Sequence, residues 1–199
     1  MEPEDLDLLY RIENDRELWD VGVTNVPYSR YSLYQYISDA TGDIYADRQV
    51  RLVVERMENE DLRDKDEKLS LHEKNLLVSH SVSSQSNHSF PDTQHPTLNV
   101  PLGLLDIFNF DPHHLRAELG IVIQQPYRRC GYATQALRQA IDYARHALHL
   151  HQLYAYVDAA NEASRRAFLK AGFESFNTIY DWLSDGKKFH DAILMQYFL

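Results

Sequence analysis

The chain is 199 residues long, 44% hydrophobic and 12% aromatic, which supports one substantial core and one domain rather than two. Thirty acidic against twenty basic residues leave a formal charge of -10, which excludes nucleic acid as the expected partner and favours a cationic acceptor such as an amine, although acidity also serves solubility alone. One cysteine, Cys130, excludes an intrachain disulfide framework and a cysteine-based zinc cluster, and it suits a reducing, cytoplasmic compartment; no apolar run approaches the roughly 18 residues of a membrane-spanning helix, so no membrane is expected.

Pro3, Glu4 and Asp5 put a ring-fixed φ and two carboxylates at a helix start, and Leu6, Leu9 and Ile12 follow at helical spacing. After a loop over residues 19–28, a second helix is predicted from Ser29 or Ser32, with Leu33, Tyr36 and Ile37 on one side and Thr41-Gly42 as its stop. Val50, Leu52 and Val54 alternate with Arg51, Val53 and Glu55 as a strand. From about 57 to 99 a charged run passes into a Ser/His/Gln/Asn stretch with few apolar residues, and the composition predicts a disordered insertion within a single domain spanning 1–199. His72, His80, His88 and His95 lie there, too evenly spread for ligand spacing, so no metal is expected.

Two apolar runs, 102–110 and 115–123, flank Asp111-Pro112-His113-His114 as a hairpin. Ala133, Leu137, Ala140, Ile141, Ala144 and Leu148 then keep a 3.6-residue period through a long helix. A short strand over 153–157 and a helix over 161–170, stopped by Gly172, come next. Residues 176–183 and 192–198 flank Asp185-Gly186 as a closing hairpin.

The chemistry concentrates between the hairpin and the long helix, at Arg128-Arg129-Cys130-Gly131-Tyr132-Ala133. A glycine and a small residue let backbone approach a ligand closely, and a helix that starts there aims unpaired N–H groups and its positive dipole end forward, as a pyrophosphate cradle does. Arg128 and Arg129 add guanidinium groups suited to phosphate oxygens. A tight turn before any helix uses the same residues, so the pattern alone does not decide.

Arg128-x-x-Gly131-x-Ala133, behind a strand reading Ala117-Glu118-Leu119-Gly120-Ile121-Val122-Ile123, resembles the acetyl-CoA signature of the GNAT N-acetyltransferase family, in its RimJ/RimL and spermidine-acetyltransferase-like branch. Asn161-Glu162-Ala163-Ser164 with Lys170-Ala171-Gly172-Phe173 is similar to that family's second signature. The resemblance implies an α/β (α+β) fold with a mixed, mostly antiparallel central sheet, splayed at the cofactor site between flanking helices. It implies acetyl-CoA as acetyl donor, held by Ile121, Val122 and Ile123 on the strand, by Arg128 through Thr134 (Arg128, Arg129, Cys130, Gly131, Tyr132, Ala133, Thr134) at the helix start, and by Asn161 and Ser164 beyond. Asn161 as a plain helix N-cap is compatible with that role.

The implied reaction is direct attack of a primary amine on the thioester, with a small-molecule amine such as a polyamine, or a protein N-terminus, as acceptor. Glu118 is the implied base; a strand-face carboxylate in a salt bridge is the alternative. The family's leaving-group acid is a tyrosine seven residues after the asparagine, and this chain has Phe168 there, leaving Tyr127, Tyr180 or water to supply the proton. That keeps a non-catalytic acyl-CoA-binding module on the same fold as the alternative. Polyamine-acetylating members carry acids around the Pro-Tyr of the first helical hairpin, whereas residues 24–29 here carry none; Glu13, Asp15, Glu17 and Asp20 lie nearby. Strands exposed at the start and at the closing hairpin lead to the expectation of a homodimer.

Overall fold

A computed structural model of the protein describes residues 1–15, 18, 26–58, 76–79 and 98–199. The first helix, α1 (Leu6–Glu13), follows a 3-10 turn with Pro3 at its first position and buries Leu8, Leu9 and Ile12. α2 (Arg30–Asp39) starts where Ser29 Oγ accepts from Ser32 N–H at 3.1 Å, and it buries Leu33 and Ile37. The Asn14 side chain stitches the two helices together: its Oδ1 accepts from Tyr28 N–H at 2.8 Å, and its Nδ2 donates to Tyr10 O at 2.9 Å and to Tyr28 O at 3.2 Å. A one-turn helix, α3 (Ile44–Asp47), then leads into β1 (Val50–Glu58).

The segment 57–99 holds regular structure that its composition does not suggest. β1 runs to Glu58, β2 (Leu76–Ser79) pairs antiparallel with Val53 through Arg56, and β3 (Leu98–Asp111) begins before residue 99. A Leu-Leu-Val run offers an open strand edge the backbone partners it lacks, and the polar tract around it hides so short a run. The four histidines of the segment lie outside the described residues.

β4 (Arg116–Ile123) returns antiparallel to β3; β5 (Gln152–Asp158), β6 (Glu174–Ser184) and β7 (Phe189–Phe198) complete a seven-stranded sheet of order β2-β1-β3-β4-β5-β7-β6. Every pairing is antiparallel except β4 with β5, as expected for a mixed, mostly antiparallel sheet. α4 (Tyr132–His146) and α5 (Glu162–Ala171) cover one face, where Leu137, Ile141 and Phe168 meet Leu105, Leu119 and Leu153. Each such fully buried aliphatic side chain contributes about 1.5–3 kcal/mol. α1 and α2 cover the opposite face over Val53 and Leu104, with Val122 at its margin. There Arg51 ties helix to sheet: it binds Asp106 through two nitrogens at 2.6 and 3.0 Å and Glu13 at 2.6 Å.

Candidate acetyl-CoA site

The parallel β4–β5 pairing is short. Arg116, Ala117 and Glu118 face Gln152, Leu153 and Tyr154, and the ladder ends there. Beyond that rung β4 stays on β3 and β5 stays on β7, so the sheet opens into a fork between Gly120–Ile123 and residues 155–158. A bulge helps set the fork: Val54 faces Gly103 but Glu55 faces Pro101, leaving Leu102 as the extra residue on β3. The end of β4 is pinned to this bulge, with Gln124 N–H donating to Leu102 O at 2.9 Å and Gln124 Nε2 to Pro101 O at 2.9 Å. β3 and β4 also approach closely, because a Cβ on Gly103 would stand 2.0 Å from Val122 O.

From this pinned end the chain makes a 3-10 turn (Gln125–Tyr127) and enters the cradle. Arg129 has φ 63° and Gly131 φ 84°, two left-handed positions that turn the chain sharply into α4. No side chain caps α4 at Gly131, so the positive end of a 15-residue helix faces the mouth of the fork. Ala133 and Thr134 follow partly buried in its first turn, while Tyr132 is buried. Arg128, Arg129 and Cys130 are exposed, and neither arginine makes an ion pair among the described residues. Arg128 is partly committed: its Nε donates to Ile123 O at 2.8 Å, which occupies one of the carbonyls expected to meet the cofactor, and its terminal guanidinium nitrogens make no hydrogen bond among the described residues. Ile121 and Val122 are half-buried along the opened edge, and Ile123 is buried.

Asn161 is the N-cap of α5, its Oδ1 accepting from Ser164 N–H at 3.0 Å. The cap leaves Asn161 Nδ2 and Ser164 Oγ without a hydrogen bond among the described residues, so capping and ligand binding are compatible. Phe168 is 2% exposed and meets Phe173 edge-on at 4.9 Å, inside the core. Of the two tyrosines named in its stead, Tyr127 packs against the core beside the cradle, whereas Tyr180 is 76% exposed on β6. Tyr180 lies on β6, two strands from β5, and among the described residues no hydrogen bond or ring contact ties it to the fork.

Glu118 stands on the last β4–β5 rung, half-buried, on the face opposite α4. It makes no salt bridge among the described residues; its Oε2 accepts from Asn109 Nδ2 at 2.9 Å. Burial pushes its carboxyl above the ordinary glutamate range, and the Asn109 bond pulls the other way. Its rung partner Tyr154 is raised too, first by burial and then by Glu118 itself. Asn109 was not legible as a site residue: it holds φ 50° in a β3–β4 irregularity that only the paired strands create. Of the acids near the first hairpin, Glu13 is engaged by Arg51, and Glu17 and Asp20 lie outside the described residues.

Comparison with known proteins decides the family. The profile described as acetyltransferase (GNAT) domain matches residues 1–174, most of the chain. The chain belongs to the GNAT acetyltransferase family. Spermidine N(1)-acetyltransferase of Escherichia coli (strain K12) is 38% identical over 71 residues, and the uncharacterized N-acetyltransferase YoaA of Bacillus subtilis (strain 168) is 30% identical over 82. These matches cover 36% and 41% of this chain and 38% and 46% of the relatives, so less than half of each relative's length is spanned. Among solved structures, spermidine N-acetyltransferase from Vibrio cholerae in complex with CoA and spermine superposes with a TM-score of 0.67 at 18% identity, covering 100% of this chain and 92% of that one. The GNAT fold expected from the two signatures is therefore the fold observed. No helix among the described residues is long and apolar enough to cross a membrane.

Proposed function

We propose that this GNAT chain is an N-acetyltransferase that moves the acetyl group of acetyl-CoA onto a primary amine, by direct attack within a ternary complex. The observation that carries it is the fork: an opened β4 edge that leads through a 3-10 turn to an uncapped helix N-terminus, flanked by two arginines that make no ion pair among the described residues. The residues present fit the donor. Gly131 at φ 84° leaves backbone open to a pyrophosphate, with Ala133, Thr134 and the exposed Arg129, Cys130 and Arg128 around it. Ile121, Val122 and Asn161 Nδ2 offer hydrogen-bonding groups along the gap toward a pantetheine arm, with Ser164 farther along α5.

Glu118 is the proposed base. Its raised pKa brings it nearer the pH at which it accepts a proton from an ammonium, and the amine nitrogen then attacks the thioester carbon. The new C–N bond forms, the C–S bond breaks, and the departing thiolate takes a proton. Phe168 has no hydroxyl to give, so solvent or a hydroxyl on the Glu118 face supplies it. The spermidine activity in the names of the relatives supports a polyamine as acceptor, with other small amines or a protein N-terminus as its competitors. A cytoplasmic location accords with the single, exposed thiol of Cys130, and the edge position of β6 supports pairing of two copies.

The test is thiol release from acetyl-CoA with a panel of amines. Turnover with at least one amine, at a rate cut about a hundredfold or more by Glu118→Gln, is expected. Acetyl-CoA binding without turnover on any amine would instead favour the non-catalytic acyl-CoA-binding module.

A further inference from the structure

On the sheet face that carries Glu118, β5 presents Tyr154, Tyr156 and Asp158 in a row, because Leu153, Ala155 and Val157 alternate with them into the opposite core. The rings of Tyr154 and Tyr156 meet at 5.7 Å, and Trp182 of β6 leans on Tyr156 at 5.5 Å. Trp182 is 54% exposed, so the row is a wall open to solvent rather than core. One end of the wall is the Glu118–Tyr154 rung at the base of the fork. At the other end, two carboxylates share one imidazole. His190 Nε2 lies 3.0 Å from Asp185 Oδ2, and His190 Nδ1 lies 3.9 Å from Asp158 Oδ2.

Two carboxylates face the one ring there, and Lys187 and Lys188 stand in the same turn. Asp185 is held anionic, below the usual carboxylate range, by His190 and by the N–H groups of Lys188 and Lys187. Asp158 uses Oδ1 for Ala160 N–H at 2.7 Å, while its Oδ2 makes a charge contact at 3.9 Å that is too long for a hydrogen bond. Oδ2 is therefore open to a second donor. Aromatic faces between two anionic ends suit an alkyl chain with a cation at each end.

We propose that this row is the acceptor trough and that it selects a long linear diamine or polyamine. The reacting amine lies at Glu118, the methylenes lie along Tyr154, Tyr156 and Trp182, and the distal ammonium lies at Asp158, His190 and Asp185. This rests on the acetyltransferase reading and adds to it a distal subsite and a length. Tyr154 and Asp158 are four residues apart on one strand, about 13 Å at about 3.3 Å per residue. An extended alkyl chain advances about 1.25 Å per C–C bond of about 1.5 Å, so a spacer of about eight to ten methylenes bridges the two ends.

The test measures kcat/KM by thiol release for unbranched α,ω-diamines of three to ten methylenes and for the monoamine of each length. In the wild type the diamine-to-monoamine ratio should rise with length and reach about tenfold at eight to ten methylenes. Trp182→Ala, at an exposed position, and Asp158→Asn should each bring it within about twofold of unity. Calorimetry of 1,8-diaminooctane against the CoA-saturated protein gives a readout free of turnover, and Trp182→Ala should weaken that binding severalfold. A ratio near one at every length, or a ratio that survives both substitutions, overturns the trough while leaving amine transfer standing. Thiol release with no amine at all overturns both.

Discussion

Glu118 accepts a hydrogen bond from Asn109 Nδ2 and lies half out of water, and both facts bear on how it titrates. Burial penalises the charged form and raises the pKa; the amide N–H favours the charged form and lowers it. As the proposed base Glu118 would work when ionised, so activity should be lost as pH falls through the raised pKa, and the acidic limb of kcat/KM is expected above the ordinary glutamate value. Asn109→Gly removes the donor and accommodates φ 50°, so it should move that limb still higher, while Glu118→Gln should abolish it. A pH–rate profile that neither substitution changes would remove Glu118 from the chemistry. At this scale the sequence was informative where a residue's role is local. Gly131 is readable from the turn it must make, whereas Glu118 is singled out by the family resemblance and its place on the last β4–β5 rung emerges only in the fold. Phe168 is readable as a missing hydroxyl, but its burial against Phe173 depends on packing. Trp182 and His190 meet Tyr156 and Asp158 only in the assembled sheet, and Asn109 reaches Glu118 across the β3–β4 hairpin through an irregularity, none of which a local pattern announces.

The elements themselves were mostly legible, because caps and periods are short-range. Ser29, Asn161 and Gly172 mark helix ends, and the long helix reads directly from its alanine and leucine spacing. α3 and β2, of four residues each, are too short to impose a period, and β2 exists because β1 offers it an edge. The parallel β4–β5 contact is likewise a product of tertiary assembly: three rungs long, it creates the fork by ending. Its geometry depends on the close β3–β4 approach at Gly103. Gly103→Ala would drive a methyl to 2.0 Å from the Val122 carbonyl, a backbone atom with no side-chain freedom to yield. A loss of about 1–3 kcal/mol is expected, which in a chain of this size lowers Tm by roughly 2–12 °C, and acetyl-CoA affinity should fall with it as β4 shifts. An unchanged Tm would mean that the strands are not held this close.

The whole molecule sets an acidic body against a basic mouth. Its net charge of -10 favours the approach of amines, while Arg128, Arg129 and the positive end of α4 concentrate the opposite sign where a phosphate-bearing donor would lie. The proposed site divides by face: the cradle opens at the start of α4, on the face that α4 and α5 cover, and Glu118 with its aromatic row lies on the other. The most direct measurement is calorimetric titration of acetyl-CoA into the wild type and into Gly131→Glu. That substitution puts bulk and a like charge at a φ of 84° in the mouth, with circular dichroism to show that the fold is retained. One-to-one binding to the wild type, weakened at least about a hundredfold in a folded variant, is the expected result. No binding to the wild type, or equal binding to both, would contradict the account at its centre.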